Sequence, residues 1–227
     1  MWRRSLPGYF SKNGVRFVYL TSCLVLLLPI LLTCAPSKRI YSQLSDTEYT
    51  SPDYRATLDK WTRRGSIHKG LGTELLVTAT YQSEEFRRAF AKEYGRLYMQ
   101  TPEENQKMLN DQMSAVNDYD GFLVAIYTPE KEWDDFAERG SLWKVYLVKD
   151  GRIRLEPLEI RKVKQHRTSS SDIGRYRAVS ESFLPYVNPW TTLYVFRFRK
   201  NGVPEATHSL ELILTSPSGS ASLKWDL

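Results

Sequence analysis

The segment 190–200, WTTLYVFRFRK, alternates with a period of two and so gathers Tyr194, Phe196 and Phe198 on one face. A helix would scatter those rings around its axis, so the run is expected to be a strand half-buried on a pleated surface. The same period recurs at Leu75, Val77, Ala79 and Tyr81, at Trp143, Val145 and Leu147, and at Leu210, Leu212 and Leu214, while FLVAIY after Gly121 is strand-like throughout. Turn chemistry separates these runs. Asp150-Gly151 lies between Leu147 and Ile153, Asn201-Gly202 follows Lys200, and Pro217-Ser218-Gly219 leads into Ala221, Leu223 and Trp225. Dipeptides of this kind suit the two left-handed positions of a type I′ turn, so both Asx-Gly pairs are expected to close hairpins. Three consecutive antiparallel strands would then end the chain. Pro157 cannot donate to a ladder, and the apolar parity shifts from Ile153 and Leu155 to Leu158 and Ile160, which places an edge or a bulge there.

Helical spacing interrupts the strands in two places. Ser51-Pro52-Asp53 is a start signal, and Tyr54, Leu58 and Trp61 follow at i, i+4 and i+7 on a short helix expected to end near Gly65. From Ser83, a stripe of Phe86, Phe90, Tyr94, Leu97 and Tyr98 marks a second helix; Thr101-Pro102-Glu103-Glu104 is a capping box that opens a third, carrying Leu109, Met113 and Val116. A short helix is also expected around 131–137. No βαβ rhythm accompanies them. The fold class expected is mainly β, α+β by content: an antiparallel β-sandwich of immunoglobulin-like type, with a helical hairpin inserted at about 83–118 and an N-terminal helix. The cysteine pair of antibody domains is missing, so the immunoglobulin-like label rests on strand count.

Residues 17–34, FVYLTSCLVLLLPILLTC, carry no charge, and Arg3, Arg4, Lys12 and Arg16 precede them without an acidic residue. That asymmetry belongs to an export signal, and the run is short for a span, which needs roughly 20 apolar residues. Leu31 stands three before Cys34, and Thr33 directly before it. The segment resembles the lipobox of a bacterial lipoprotein precursor. The resemblance implies cleavage before Cys34, a lipid on its thiol, a signal peptide at 1–33, a polar tether at 34–48 and a single domain at 49–227. Ala35 is not the aspartate that retains many such proteins in the inner membrane, so the outer membrane is the expected location, with the inner membrane as the alternative. The competing reading of the run is an uncleaved anchor. Cys23 and Cys34 are the two cysteines, so the domain beyond them has no thiol for a disulfide, a zinc cluster or covalent catalysis. Of the 32 Lys and Arg, four precede the run, leaving 28 against 26 acidic groups, a net charge of about +2 that gives no reason to expect nucleic acid.

Candidate contacts are few. Arg161, Lys162, Lys164 and Arg167 form a basic run that would meet an anionic headgroup surface, each charge worth about 1 kcal/mol there. Cations on an edge strand also block sheet-to-sheet association, and that is the commoner use. His68, His166 and His208 each stand alone without ligand spacing, although His208 shares parity with Leu210 and would reach the core edge. Neither a nucleophile elbow nor a phosphate loop occurs. Trp133, Trp143, Tyr146, Tyr186 and Trp190 would line either a groove or the core, the core being expected. No cofactor or metal is expected. The function expected is a membrane-tethered envelope lipoprotein, held by lipid on Cys34, with a non-catalytic binding or assembly role toward an envelope protein. The alternatives are an envelope hydrolase with a carboxylate site, for which two acids converging in an open cleft would speak, and an uncleaved inner-membrane-anchored periplasmic protein.

Overall fold

A computed structural model describes residues 50–163, 183–200 and 207–227, all within the compact unit Tyr49–Leu227. Helix α1, Pro52–Trp61, begins as its sequence dictates: the Ser51 hydroxyl accepts from the Tyr54 amide, and Asp53 faces the positive end. It stops four residues before Gly65. The Thr62 hydroxyl donates to the Leu58 carbonyl at 2.7 Å and the Arg63 guanidinium to the Lys60 carbonyl at 2.8 Å, so two of the last-turn carbonyls are taken by the chain that leaves the helix. The chain continues directly as strand β1, Thr62–Lys69, paired with β2, Gly72–Tyr81. Gly65 lies inside β1, where a Cβ would stand 3.4 Å from Val77 and 3.5 Å from Ala221, and that closeness draws the strand against the last one of the chain.

Between β2 and β3, Tyr119–Tyr127, the chain inserts the helical hairpin α2, Glu84–Leu97, and α3, Pro102–Asp118. Both halves of the capping box are made: Glu104 N–H donates to the Thr101 hydroxyl and Thr101 N–H to the Glu104 carboxylate. Most of the stripe holds: Phe86 and Phe90 are buried and Tyr94 and Leu97 half-buried, whereas Tyr98 stands at the helix end, 47% exposed and stacked on Tyr94. Then come β4, Lys144–Lys149, β5, Ile153–Leu155, β6, Glu159–Lys162, β7, Thr192–Arg199, β8, Ser209–Ser216, and β9, Gly219–Asp226. Around 131–137 the expected helix shrinks to one 3-10 turn, Lys131–Trp133. Among the described residues no helix is long and apolar enough to cross a membrane.

Two antiparallel sheets result, β1-β2-β3-β7-β6 and β5-β4-β8-β9. With β1 set aside, β2-β3-β7-β6 and β5-β4-β8-β9 follow the ABED and C′CFG order of immunoglobulin-like sandwiches. The Asp150-Gly151 hairpin joins β4 to β5 with both φ angles positive, at 49° and 66°. The hairpin expected at Asn201-Gly202 does not form, because β7 pairs with β3 and β6 while β8 pairs with β4 and β9. The chain crosses between sheets there, as a Greek key requires, and only β8 and β9 pair consecutively at the end.

The register explains the composition of the central strands. Phe122, Val124 and Ile126 of β3 align with Tyr81, Ala79 and Val77 on one face, and Leu123 and Ala125 with Thr80 and Thr78 on the other. Phe122 packs on Trp225 of the second sheet at 5.2 Å. The other face is equally dry: Thr80 bonds to the Tyr186 hydroxyl, and nearby Phe183 packs against Tyr54 and Phe90. A strand buried on both faces needs an unbroken apolar run, which is why FLVAIY does not alternate.

Two buried acids tie the layers. Asp120 on β3 accepts from the Tyr81 hydroxyl at 2.9 Å and pairs with Lys149 on β4 at 2.7 Å, joining the sheets. Burial, then the Asp120 charge, push the Tyr81 phenol far up. Glu93 on α2 accepts from Ser51 N–H and hydroxyl at 2.7 and 2.8 Å and pairs with Arg96 at 2.6 Å, so one carboxylate fixes the start of α1. Its burial raises its pKa, but the bonds from Arg96 and Ser51 outweigh this and hold it below the usual 4.5. A depressed carboxylate adds stability that is fully present above the unfolded value and is lost as pH falls through the folded value. Stability measured by urea titration should therefore decline below about pH 4.5 less steeply in Glu93→Gln than in the wild type. Asp120→Ala, which strands Lys149, should cost about 3–5 kcal/mol in the same assay at neutral pH.

Candidate functional site

One side of the sandwich is closed, and among the described residues the other is open. On the closed side, Arg63 Nε donates to the Lys224 carbonyl at 2.8 Å and Trp225 Nε1 to the Trp61 carbonyl at 2.8 Å, so β1 and the end of α1 cover β9. At the opposite side, β6 ends one sheet and the short β5 ends the other. A loop spanning 128–143 crosses this seam, and its anchorage shapes what remains open.

Asp134 holds the loop. Its carboxylate accepts from the Tyr194 hydroxyl at 2.7 Å, from Thr192 at 2.8 Å and from Lys162 at 2.5 Å. Burial first, then the bond to Asp134, push the Tyr194 phenol far up, so it stays a donor. Beyond it, the Ser141 hydroxyl donates to Asp135 and accepts from Trp143 N–H, while the Trp143 indole donates to the Trp133 carbonyl at 2.7 Å. These bonds place Phe136 flat on Trp143, with centroids 4.9 Å apart and planes 12° apart, and within 5.6 Å of Tyr194. Phe136 thus plugs the inner part of the seam.

Outside the plug lies a cavity of about 340 Å³, within the range of small-ligand sites. Phe136, Ser141, Trp143, Val145, Tyr146, Pro157 and Ile160 line it, with the exposed Glu138, Arg139, Lys144 and Glu156 at its rim, and the surface it presents is more polar than apolar. Leu142 and Leu158, each more than half exposed, adjoin it in the chain. Arg154 lies over the Tyr146 ring at 4.5 Å, which fixes that ring at the groove's outer wall. None of the four rim charges enters an ion pair among the described residues.

The residues anticipated from sequence fall in several places. Arg161 pairs with Glu159, which also holds Arg197 at 3.0 Å, whereas its neighbour Lys162 turns the other way to Asp134. Consecutive strand residues point to opposite faces, so this pair offers no shared cationic surface. Lys164, Arg167, His166 and Cys34 lie outside the described residues. His68 bonds to Ser66 at the surface, and His208 is exposed rather than at the core edge, its backbone N–H donating to Asp150. Trp143 and Tyr146 do line the groove; Tyr186 instead ends a hydroxyl chain through Thr80 and Thr62, and Trp190 is 80% exposed on a turn. Phe136, Glu138, Arg139 and Glu156 gave no sequence signal, since a loop and a strand end supply them without periodicity. Among the described residues no group of three or more His, Cys, Asp or Glu is placed to hold a metal ion.

The loop's dependence on one carboxylate is measurable. Asp134→Ala leaves the buried Tyr194 hydroxyl without its acceptor and should cost about 1–3 kcal/mol in chemical denaturation, with Trp143 fluorescence shifting to the red as Phe136 loosens. No family model matches this chain, and neither the curated proteins nor the solved structures include a match.

Proposed function

We propose that this protein is a membrane-tethered envelope lipoprotein whose sandwich is a non-catalytic binding or assembly module, with the open seam as its contact face. The observation that carries the binding role is the groove itself, a trough with Phe136, Trp143, Tyr146 and Ile160 in its lining, adjoined by exposed Leu142 and Leu158 and ringed by charges that have no ion-pair partner among the described residues. Aromatic walls with a polar rim are the usual anatomy of a protein contact. Tethering rests on the sequence of 17–34 and its resemblance to a lipobox ending at Cys34, with Ala35 favouring the outer membrane over the inner.

Palmitate labelling tests the anchor: the wild type should incorporate label and Cys34→Ser should not, and a purified chain that still begins at Met1 would point to an uncleaved inner-membrane anchor. A photo-crosslinking residue at Leu142 tests the face. It should give a discrete adduct with one envelope protein, absent when the residue is placed at Asp111 on the far helix α3. A second reading has one observation in its favour, since Glu138 and Glu156 share the open cleft as the two acids of a glycan hydrolase would. Release of reducing ends from cell-wall glycan, abolished by Glu156→Gln, would favour that reading over the first.

A further inference from the structure

We infer that the turn between α2 and α3 is the membrane-facing end of the domain and dips Tyr98 and Met99 into the bilayer interface, an inference that rests on the tethered-lipoprotein reading. Two observations meet at this turn. The first is a methionine at a position that suits glycine. Tyr98 N–H donates to the Tyr94 carbonyl at 2.9 Å and Gln100 N–H to the Gly95 carbonyl at 3.0 Å, which closes α2 with a Schellman-type end and sets Met99 in the left-handed region at φ 50°. Glycine takes that conformation without the Cβ clash that methionine meets there. The methionine side chain adds almost no packing in exchange, since Met99 is 90% exposed. Beside it Tyr98 is half exposed, its ring stacked on Tyr94 at 4.3 Å. Both sides of the turn are fixed. Asn105 Nδ2 donates to the Ala91 carbonyl at 2.8 Å, lying where a Cβ on Gly95 would stand, and the capping box holds Thr101. Tyr98 and Met99 are thus presented on a rigid tip.

The second observation is where the chain enters the domain. Ser51 donates its N–H and its hydroxyl to Glu93 at 2.7 and 2.8 Å, and Glu93 stands one helical turn, about 6 Å, before Leu97 at the end of α2. The domain therefore takes up the chain from Cys34 beside the helix end that carries the exposed pair. Residues 35–49 lie between Cys34 and Thr50, at most about 55 Å of extended chain. A lipid on Cys34 would keep this end of the domain within that reach of the bilayer, where even a weak contact is made at high effective concentration. Charge then selects the kind of contact. Between residues 92 and 104 the cations Lys92 and Arg96 stand against the acids Glu93, Glu103 and Glu104, a sum of −1. Anionic headgroups find no attraction there, whereas an amphipathic tyrosine and a flexible thioether suit the boundary between headgroups and acyl chains.

The full-length protein in vesicles of zwitterionic phospholipid tests this, with a benzophenone side chain placed at Met99 or, for comparison, at the exposed Ser220 of β9. Lipid adducts should be at least about tenfold more abundant at 99 than at 220 and should persist in about 0.5 M salt, since no charge drives the contact. Met99→Gly should raise the urea midpoint by about 0.3 M, because glycine accepts the left-handed position, and should cut about threefold the adducts formed from a benzophenone at Tyr98. Equal yields at 99 and 220, yields that collapse in salt, or a lower midpoint in Met99→Gly would each overturn the inference. Palmitate labelling separates this outcome from the reading beneath it. A labelled chain with equal yields keeps its lipid and loses the docked turn. An unlabelled chain that still begins at Met1 removes the lipoprotein reading, and the comparison of 99 with 220 then decides the docked turn on the chain anchored by residues 17–34.

Discussion

The Trp225 indole is where the layers of this protein meet. It is fully buried, packs on Phe122 at 5.2 Å and on Tyr81 at 6.4 Å, and donates to the Trp61 carbonyl while the Arg63 guanidinium lies over its ring. One side chain of β9 thereby touches three strands of the opposing sheet, β2, β3 and the start of β1, as well as the end of α1. An indole buried without a partner for its N–H would be costly, so the end of α1 is held at the place where its last carbonyl can accept that bond. The early end of α1 and the presence of β1 are thus two sides of the same constraint.

Closing the sandwich at Trp225 decides what happens at the other side. Asp120 and Lys149 join the sheets at one end, and the loop held by Asp134 spans the far seam with Phe136 as its wedge. Pro157 then ends β5 too soon to cover β4, and the chain moves to the other sheet. The groove is therefore not an accident of loose packing. It is the space left when one edge is sealed by an extra strand and the other is interrupted by a residue that cannot extend a ladder.

Much of this was legible in the sequence where a periodic pattern and a turn signal agreed. β2, α2, the capping box of α3 and the Asp150-Gly151 hairpin each follow from residues within one element, and the inserted helical hairpin follows from their order. β1 was not legible because TRRGSIHK buries Ile67 alone and reads as a polar helix end. The pairing of β7 escapes a local reading for a different reason: Asn201-Gly202 is correct turn chemistry, but strand partners in a Greek key are set by long-range packing, which local dipeptides do not encode. Of the groove residues, Trp143 and Tyr146 were legible as strand positions but were expected in the core, where Trp143 is indeed buried, and Phe136 gave no signal, because a wall built from a loop and two strand ends has no period to find.

The saturated and unsaturated groups of the seam divide its roles. Asp134 commits both oxygens to Tyr194, Thr192 and Lys162, Asp135 accepts from Ser141, and Trp143 gives its indole and backbone donors to Trp133 and Ser141. Groups so fully bonded have nothing left to offer a partner, and their work is to hold the wall. The side chains around the groove are of another kind: Glu138, Arg139, Lys144 and Glu156 are exposed and make no ion pair among the described residues, and Leu142 and Leu158 are each more than half exposed. The leucines would gain by leaving water and the charges by finding partners, so a contact made at this seam would be built from those side chains and not from the bonded wall.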